Sequence, residues 1–246
     1  MARRNDPSAR PTADRAVRRA VKPAEADTRR RPSEEVTRLQ LDGLMAVAAP
    51  ELAGAPRALL VAGVQAFAEH GYAATTTRDI ASRAGMSPAA LYVHYPSKES
   101  LLFAAIRFGH EQALNAVRDA VRRAGEDSGD RVRAFVRAFS YWHARQSTLA
   151  RVAQDELDAL TSEHFAVVAG LRRETEGLLR NLIAEGAAAG AFAPLEVPGT
   201  TVALLSLGID VARWFPHAAD RTPDDVGDLY AELAVRMLRS PETPTT

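Results

Sequence analysis

Apolar side chains recur along this chain at the three- and four-residue spacing of amphipathic helices. Leu60, Val64 and Phe67 share one such face, and the same spacing continues through residues 97–124. No long stretch alternates apolar and polar residues with the period of two that is expected of a strand. The pattern therefore predicts an all-α protein with almost no strand.

Capping residues, glycines and prolines divide this pattern into separate helices. Thr76 and Asp79 have the spacing of a capping box, and Ser87 followed by Pro88 marks the start of the next helix. Gly71 tolerates the left-handed conformation that ends a helix. The predicted helices cover about residues 56–71, 76–85, 88–95, 97–124, 130–146, 148–159, 162–189, 197–215 and 223–239.

Charge is distributed unevenly, although the formal net charge is zero. Residues 1–31 carry ten basic and four acidic side chains and almost no large apolar ones, which predicts a disordered basic arm. The rest of the chain carries 21 basic and 27 acidic residues and is mildly acidic. A basic arm ahead of an acidic body is typical of nucleic-acid binders, and a solubilising leader is the alternative interpretation.

Several classes of protein are disfavoured by what the sequence lacks. Without cysteine there are no disulfides, no Cys-ligated zinc and no thiol catalysis. The longest apolar stretches fall short of the roughly 18 residues that span a bilayer, so we expect a cytoplasmic protein and no membrane partner. The sequence has no metalloprotease, serine-hydrolase or phosphate-loop motif. We therefore expect no catalytic residue, no metal, no cofactor and no enzymatic activity.

The twenty residues 77–96 have the spacing of a helix-turn-helix. Ile80, Ala81, Gly85 and Leu91 stand at the fourth, fifth, ninth and fifteenth positions. Two helices that cross at a short turn need a small residue at the contact and a permissive one in the turn, and large apolar groups fasten both to a third helix. An ordinary helical hairpin is the alternative.

The stretch "ALLVAGVQAFAEHGYAATTTRDIASRAGMSPAALYVHYPSKESLLFAAI" resembles the N-terminal domain of TetR-family transcriptional regulators. The resemblance implies a dimer that binds a near-palindromic operator through the third helix of the domain. It implies backbone contacts from Thr76, Thr77, Tyr92 and Lys98, and base or groove contacts from Arg78, Ser87, Pro88, Ala89, Ala90 and His94. For Tyr92 a core aromatic is the alternative, and His94 is equally consistent with a partly buried side chain.

The resemblance also implies a division of the chain into five parts. These are the arm at 1–31, a short helix or linker at 32–52, a helix-turn-helix domain at 53–100, a helical effector-binding and dimerisation domain at 101–240, and a tail at 241–246. The family pairs its last two helices across a two-fold axis, here about 197–215 and 223–239.

The third helix contains no Arg or Lys in its body, residues 88–95. Base discrimination can still come from alanine methyls against thymine methyls and from hydrogen bonds by Ser87 and His94. Phosphate contacts outside the helix supply the affinity.

"AQDELDAL" and "IDVARWFPHAADRTPDDVGDLYAEL" resemble the branch of the family that senses acyl-CoA thioesters. That resemblance implies a long pocket with an acyl chain among Trp142, Phe165 and Trp214, and with Arg213 or Arg172 near the phosphates. Gln146 is a further candidate, because it is one of the polar residues that are interleaved with these aromatics. The expected function is a repressor that a small apolar ligand, such as an acyl-CoA thioester, releases from DNA. The alternatives are a regulator of efflux that senses a lipophilic antibiotic, and a helical lipid carrier or interaction protein without DNA binding.

Overall fold

The computed structural model describes residues 34–194, 196–218 and 220–239. Within these ranges the chain forms ten α-helices and two short 3-10 helices and no strand, so the all-α prediction is confirmed. The predicted basic arm at 1–31 and the predicted tail at 241–246 lie outside the described residues.

The helices follow the predicted pattern closely. They are α1 (Glu34–Ala48), α2 (Ala55–Ala74), α3 (Thr77–Arg83), α4 (Pro88–His94), α5 (Lys98–Arg123), α6 (Ser128–Arg145), α7 (Ser147–Asp155), α8 (Ser162–Ala188), α9 (Val197–Trp214) and α10 (Pro223–Leu238), with 3-10 turns at Leu157–Ala159 and Phe215–His217. The segment predicted as one helix at 148–159 is divided, because the backbone leaves helical geometry at Glu156.

Local signals fix the ends of the helices around the predicted helix-turn-helix. Thr76 Oγ1 accepts a hydrogen bond from Asp79 N at 3.2 Å, and the Asp79 carboxylate accepts one from Thr76 N at 2.9 Å. Gly71 and Gly85 have φ of 78° and 71°, the left-handed region in which glycine meets no Cβ penalty. Gly71 thus interrupts α2 where the sequence predicts its end.

Two large hydrophobic clusters form the core, and α5 belongs to both. The first cluster joins α1–α4 to the N-terminal half of α5 and to α7; Leu91 and Leu149 are both members. The second holds the C-terminal half of α5, from Leu114 onward, against α6, α8, α9 and α10. The helix-turn-helix therefore shares its core with part of the C-terminal half.

Helix α1 precedes the helix-turn-helix and packs against α2. Leu41 and Met45 are buried in the first cluster beside Leu59 and Leu60. The sequence predicted a short helix in 32–52 without a role, and the structure assigns it one, since it covers apolar surface of α2.

Candidate nucleic-acid interface and ligand cavity

The helices α3 and α4 are held at a fixed angle by the turn between them. Met86 N donates to Ala81 O at 2.8 Å, and Gly85 supplies the left-handed backbone that this turn requires. Ile80, Ala81 and Leu91 are fully buried. All four residues of the predicted spacing therefore have the positions that a helix-turn-helix demands.

The C-terminal end of α4 is anchored to the start of α2. Tyr95 is buried and its hydroxyl donates to Pro56 O at 3.0 Å. Burial raises the pKa of the Tyr95 phenol to about 12. Tyr95 thus fixes how far α4 projects from the domain.

One face of α3 and α4 is open to solvent, and most of the residues predicted to contact DNA lie there. Thr76, Arg78, Ser87, Pro88, Ala89, Tyr92 and His94 are exposed, and Thr77 and Ala90 are half-buried. Tyr92 is 52% exposed, so the core-aromatic alternative is wrong, and its hydroxyl lies 3.3 Å from Thr77 Oγ1. His94 is exposed rather than partly buried.

Val93 was not predicted, although it is 78% exposed on the same helix. A solvent-facing valine beside Tyr92 offers methyl groups that suit the C5-methyl of thymine. The sequence alone could have predicted this exposure, because Tyr92 and Val93 directly follow the buried Leu91 and cannot lie on the same face of the helix.

Two of the residues predicted to contact phosphate form hydrogen bonds with other groups of the protein. The Lys98 ammonium donates to Tyr72 O and to Thr75 O, both at 2.7 Å, and lies 4.1 Å from the Tyr72 ring centroid. Thr76 Oγ1 donates to Asp79 Oδ2 at 2.6 Å. Lys98 therefore satisfies carbonyls at the end of α2, and the Thr76 hydroxyl has no proton left for phosphate. The Lys98 ammonium keeps a third proton, and both phosphate contacts stay predictions.

Ser87 caps α4 without exhausting its hydroxyl. Its oxygen accepts a hydrogen bond from Ala90 N at 3.3 Å. A hydroxyl that accepts still has one proton to donate, so Ser87 can serve both the helix and an acceptor on DNA.

A cavity of about 200 Å³ lies in the C-terminal half, between α5, α6, α7, α8 and α9. Its walls are mainly apolar with a few polar groups, the usual form of a small-molecule site. The lining residues are Gly109, His110, Ala113, Phe139, Trp142, His143, Ala150, Ala153, Gln154, Arg172, Thr175, Glu176, Val202, Leu205, Ser206 and Ile209.

Of the six predicted ligand residues, the structure brings Trp142 and Arg172 to this cavity. Gln146 is buried where α6 meets α7 but is not part of the lining. The other three, Phe165, Arg213 and Trp214, lie elsewhere.

Each of the three displaced residues has a different environment. Phe165 is 46% exposed near the start of α8. The Arg213 guanidinium pairs with Asp155 at 3.0 Å on the surface. Trp214 stacks on Tyr230, with centroids 6.3 Å apart, in a third small cluster. The structure does not bring these three residues to this cavity, because tertiary packing decides which side chains line it, and their role as ligand contacts stays a prediction.

Two histidines line the cavity that the sequence did not single out as ligand residues. His143 Nδ1 lies 2.8 Å from Phe139 O, so this nitrogen carries the proton and Nε2 is left as an acceptor. Burial lowers the pKa of His143 to about 4. Burial and the nearby Arg172 charge lower the pKa of His110 to about 3. Both rings are therefore neutral at pH 7.

Two acidic side chains join the segment after α7 to the DNA-binding half. Glu156 Oε1 accepts a hydrogen bond from Tyr72 N at 3.0 Å, beside the Gly71 interruption of α2. Glu99, in the first turn of α5, accepts from Thr161 N at 3.0 Å and contacts His164 Nδ1 at 2.8 Å. The connection between two cavity helices, α7 and α8, is thus tied directly to the helix-turn-helix domain.

The last two helices, α9 and α10, carry apolar side chains that face solvent. Val202 and Leu207 of α9 and Leu229, Leu233 and Met237 of α10 are all exposed. Clusters of this kind on a soluble domain are typical of association surfaces.

The described residues contain neither a metal site nor a membrane-spanning helix. No group of three or more histidines and carboxylates has the arrangement of a metal site in this part of the chain. None of the described helices is both long and apolar enough to cross a membrane.

This architecture is that of a helix-turn-helix DNA-binding protein whose second helical domain encloses a cavity. Residues 59–105 match the model of bacterial regulatory proteins of the tetR family, and residues 125–238 match a tetracyclin repressor-like C-terminal domain. The chain belongs to the TetR family and is a DNA-binding transcriptional regulator of that type.

Similar proteins are found among both sequences and solved structures. The transcriptional repressor KstR2 of Rhodococcus jostii RHA1 is 30% identical over 71% of this chain and 86% of its own. A tetR-family regulatory protein from Rhodococcus RHA1 is 42% identical over 75% of this chain and 97% of its own, with a TM-score of 0.71. AibR in complex with isovaleryl coenzyme A and operator DNA is 24% identical over 74% and 96%, with a TM-score of 0.65, and shows the shared fold.

Proposed function

We propose that this protein is a cytoplasmic homodimeric repressor that leaves its operator when a small apolar acyl compound enters the cavity. The observation that carries the proposal is the course of α5. This helix begins at Lys98, which is hydrogen-bonded to the end of α2, and continues to Gly109, His110 and Ala113 in the cavity wall. A single helix thus connects the two sites.

DNA recognition is assigned to the exposed face of α3 and α4. Arg78 supplies charge for phosphate or a groove edge, and the Tyr92 hydroxyl supplies a donor for a phosphate oxygen. Ser87, His94 and the methyls of Ala89 read base edges. Val93, exposed beside Tyr92, joins this set.

The mechanism is a shift between two populations of the dimer. The exposed apolar faces of α9 and α10 pair with a second copy, which presents two α4 helices to successive major grooves roughly 34 Å apart. Ligand between α5 and its neighbours favours a tilt of α5 that changes this spacing. The ligand acts only through its preference for the tilted state.

An acyl compound is favoured by two observations of different weight. AibR, which has the same fold, is in complex with isovaleryl coenzyme A and operator DNA, whereas the KstR2 relative supports the repressor assignment and not the ligand. A cavity of about 200 Å³ has room for an acyl group, and the nucleotide part of a thioester would have to lie outside it. A lipophilic antibiotic remains the competing effector.

A gel shift on DNA upstream of the protein's own coding sequence tests the proposal. We expect salt-sensitive binding to a palindrome there, because phosphate contacts release counterions. Absence of sequence-selective binding to any palindrome in that region would rule the regulator out.

The variants Arg78→Ala and Tyr92→Phe separate a regulator from a lipid carrier that has lost DNA binding. Each is expected to weaken operator binding by about 1 to 3 kcal/mol if the contact is good. Arg173→Ala, on the exposed side of α8, is the matched control and leaves binding unchanged. A carrier would be indifferent to all three variants.

A further inference from the structure

Arg172 is the cationic side chain in the cavity lining, and its position there is unusual. Its guanidinium donates to Gln154 Oε1 at 2.9 Å, a neutral partner. No carboxylate lies within ion-pair distance of Arg172 in the described part of the chain. Burial lowers the pKa of the guanidinium, as expected of a charge held away from water. A partly desolvated cation without a counter-charge is costly unless an anion completes the site.

The groups around Arg172 include hydrogen-bonding atoms that the protein leaves unused. The His110 Nε2 and Trp142 Nε1 atoms are buried and have no hydrogen-bond partner within the described ranges. The indole nitrogen is a donor, and a neutral imidazole can present a donor at Nε2. Buried polar atoms of this kind normally find a partner, so their presence in one cavity points to a ligand with acceptor oxygens.

Carboxylates of the protein do not fill that role. Glu176 also lines the cavity, but its carboxylate contacts Arg180 at 3.4 Å. On the other walls the titratable groups are His110 and His143, which are neutral at pH 7. The cavity therefore offers one unpaired positive charge to a ligand, together with neutral donors.

We propose that the effector is a small apolar monocarboxylate, with its carboxylate against Arg172 and its hydrocarbon part among Phe139, Leu205 and Ile209. This inference rests on the proposed function only in taking the cavity as the effector site. A free acid and a coenzyme A thioester share the apolar body, but the acyl group of a thioester is uncharged, so the free acid is the form that places a carboxylate against Arg172.

The volume sets the size of the ligand. A cavity of about 150 Å³ accepts benzene, so about 200 Å³ corresponds to on the order of ten non-hydrogen atoms. Octanoic acid has this size, and 1-octanol and octanoyl-coenzyme A are matched probes that lack the carboxylate.

The test is a fluorescence titration of the full chain in a Trp214→Phe background, in which the cavity residue Trp142 is the sole tryptophan. Octanoate is expected to bind about ten- to a hundredfold more tightly than 1-octanol, the gain expected for hydrogen bonds to a charged group. Arg172→Gln should abolish that difference. The neighbouring exposed Arg173→Gln should preserve it.

The thermal melt of each variant checks that it is folded. Arg172→Lys keeps the positive charge and should therefore retain part of the preference for octanoate over 1-octanol. Equal binding of acid and alcohol by the parent protein overturns the proposal. Tighter binding of octanoyl-coenzyme A than of octanoate also overturns it, as does failure of all three probes to bind. Failure of the proposed regulator function gives a different result from failure of this inference. In that case octanoate still binds through Arg172, but the protein binds no operator.

Discussion

The DNA-binding face and the ligand cavity are built in opposite ways. The face is formed by twenty consecutive residues, 77–96, whose two short helices are shaped by their own caps and turn. The cavity is formed by five helices whose lining residues extend from Gly109 to Ile209. Local caps and the turn therefore define the two helices of the first site, which are then packed on a shared core, whereas the second site exists only when distant segments have packed.

The polar groups of the two sites also differ, in whether the protein itself supplies their hydrogen-bond partners. At the DNA-binding face the Thr76 and Ser87 hydroxyls satisfy helix ends and remain in contact with solvent. Among the described residues, the cavity-lining His110 and Trp142 have buried nitrogens, Nε2 and Nε1, without a hydrogen-bond partner. The helix ends of the first site are thus satisfied by the protein itself, while the second site contains hydrogen-bonding atoms that it does not satisfy.

The largest expected effect tests whether the two regions unfold separately. Leu91 of α4 and Leu149 of α7 belong to one hydrophobic cluster, so the domains share a core. Leu91→Ala is expected to lower the free energy of unfolding by about 2 to 5 kcal/mol and to shift one common transition. Chemical denaturation followed by circular dichroism measures this.

The matched control is Val93→Ala on the same helix. Because Val93 is exposed, the free energy of unfolding should change little, although operator affinity should fall. Two separate transitions, with only one displaced by Leu91→Ala, would contradict the shared core.

The second-largest expected effect is that the cavity histidines make the free energy of unfolding depend on pH. The pKa values of His110 and His143 are about 3 and about 4 in the folded protein, below the ordinary histidine value. As the pH falls below about 6.5, these histidines take up protons in the unfolded chain before they do so in the folded protein. The free energy of unfolding is therefore highest above pH 6.5 and decreases towards pH 4. We expect the loss to be about 2 kcal/mol per pH unit for the pair.

Urea unfolding at several pH values between 7 and 5 measures that slope. His110→Gln should reduce it by about half, since one of the two groups no longer titrates. His217→Gln, at an exposed position, is the control and leaves the slope unchanged. A slope that His110→Gln leaves intact would show that the cavity histidines do not govern acid stability.

The smallest effect concerns the connection between the regions. Glu99 and Glu156 join the segment between α7 and α8 to α5 and α2. Glu99→Gln and Glu156→Gln are expected to weaken the coupling between ligand and operator binding by about 1 kcal/mol, with less change in either affinity alone. Operator affinity measured with and without octanoate gives the coupling.

Glu163→Gln provides the control, since Glu163 lies one residue from His164 and is exposed. It should leave the coupling as it is in the parent protein. Unchanged coupling in the Glu99 and Glu156 variants would mean that the signal passes through the shared core alone.

The sequence predicted the DNA-binding region in detail because its determinants are close together. The Thr76–Asp79 box and the Gly85 turn depend on neighbours within a few residues, and the burial of Ile80 and Leu91 follows from helical periodicity. The hydrogen bonds of Lys98 to the end of α2 were not predicted, because its partners, Tyr72 O and Thr75 O, are more than twenty residues away and are carbonyls that the sequence does not mark.

The residues of the cavity were harder to predict from the sequence than those of the DNA-binding region. Arg172 and Trp142 were identified through a resemblance, but Phe165, Arg213 and Trp214 lie outside the lining. His110 stands on α5 without a partner at metal or catalytic spacing, so no local pattern distinguishes it from a surface histidine. Its significance follows from the helices that enclose it.

By itself the sequence determined that the described part of the chain is all-helical, where most of its helices begin and end, and that residues 77–96 form a helix-turn-helix, because periodicity, caps and turns act over a few residues. Only the tertiary structure decided that one core unites the two halves, and that Arg172, His110 and Trp142 meet in one cavity. Burial and long-range packing create those properties, and they depend on which faces of distant helices come into contact.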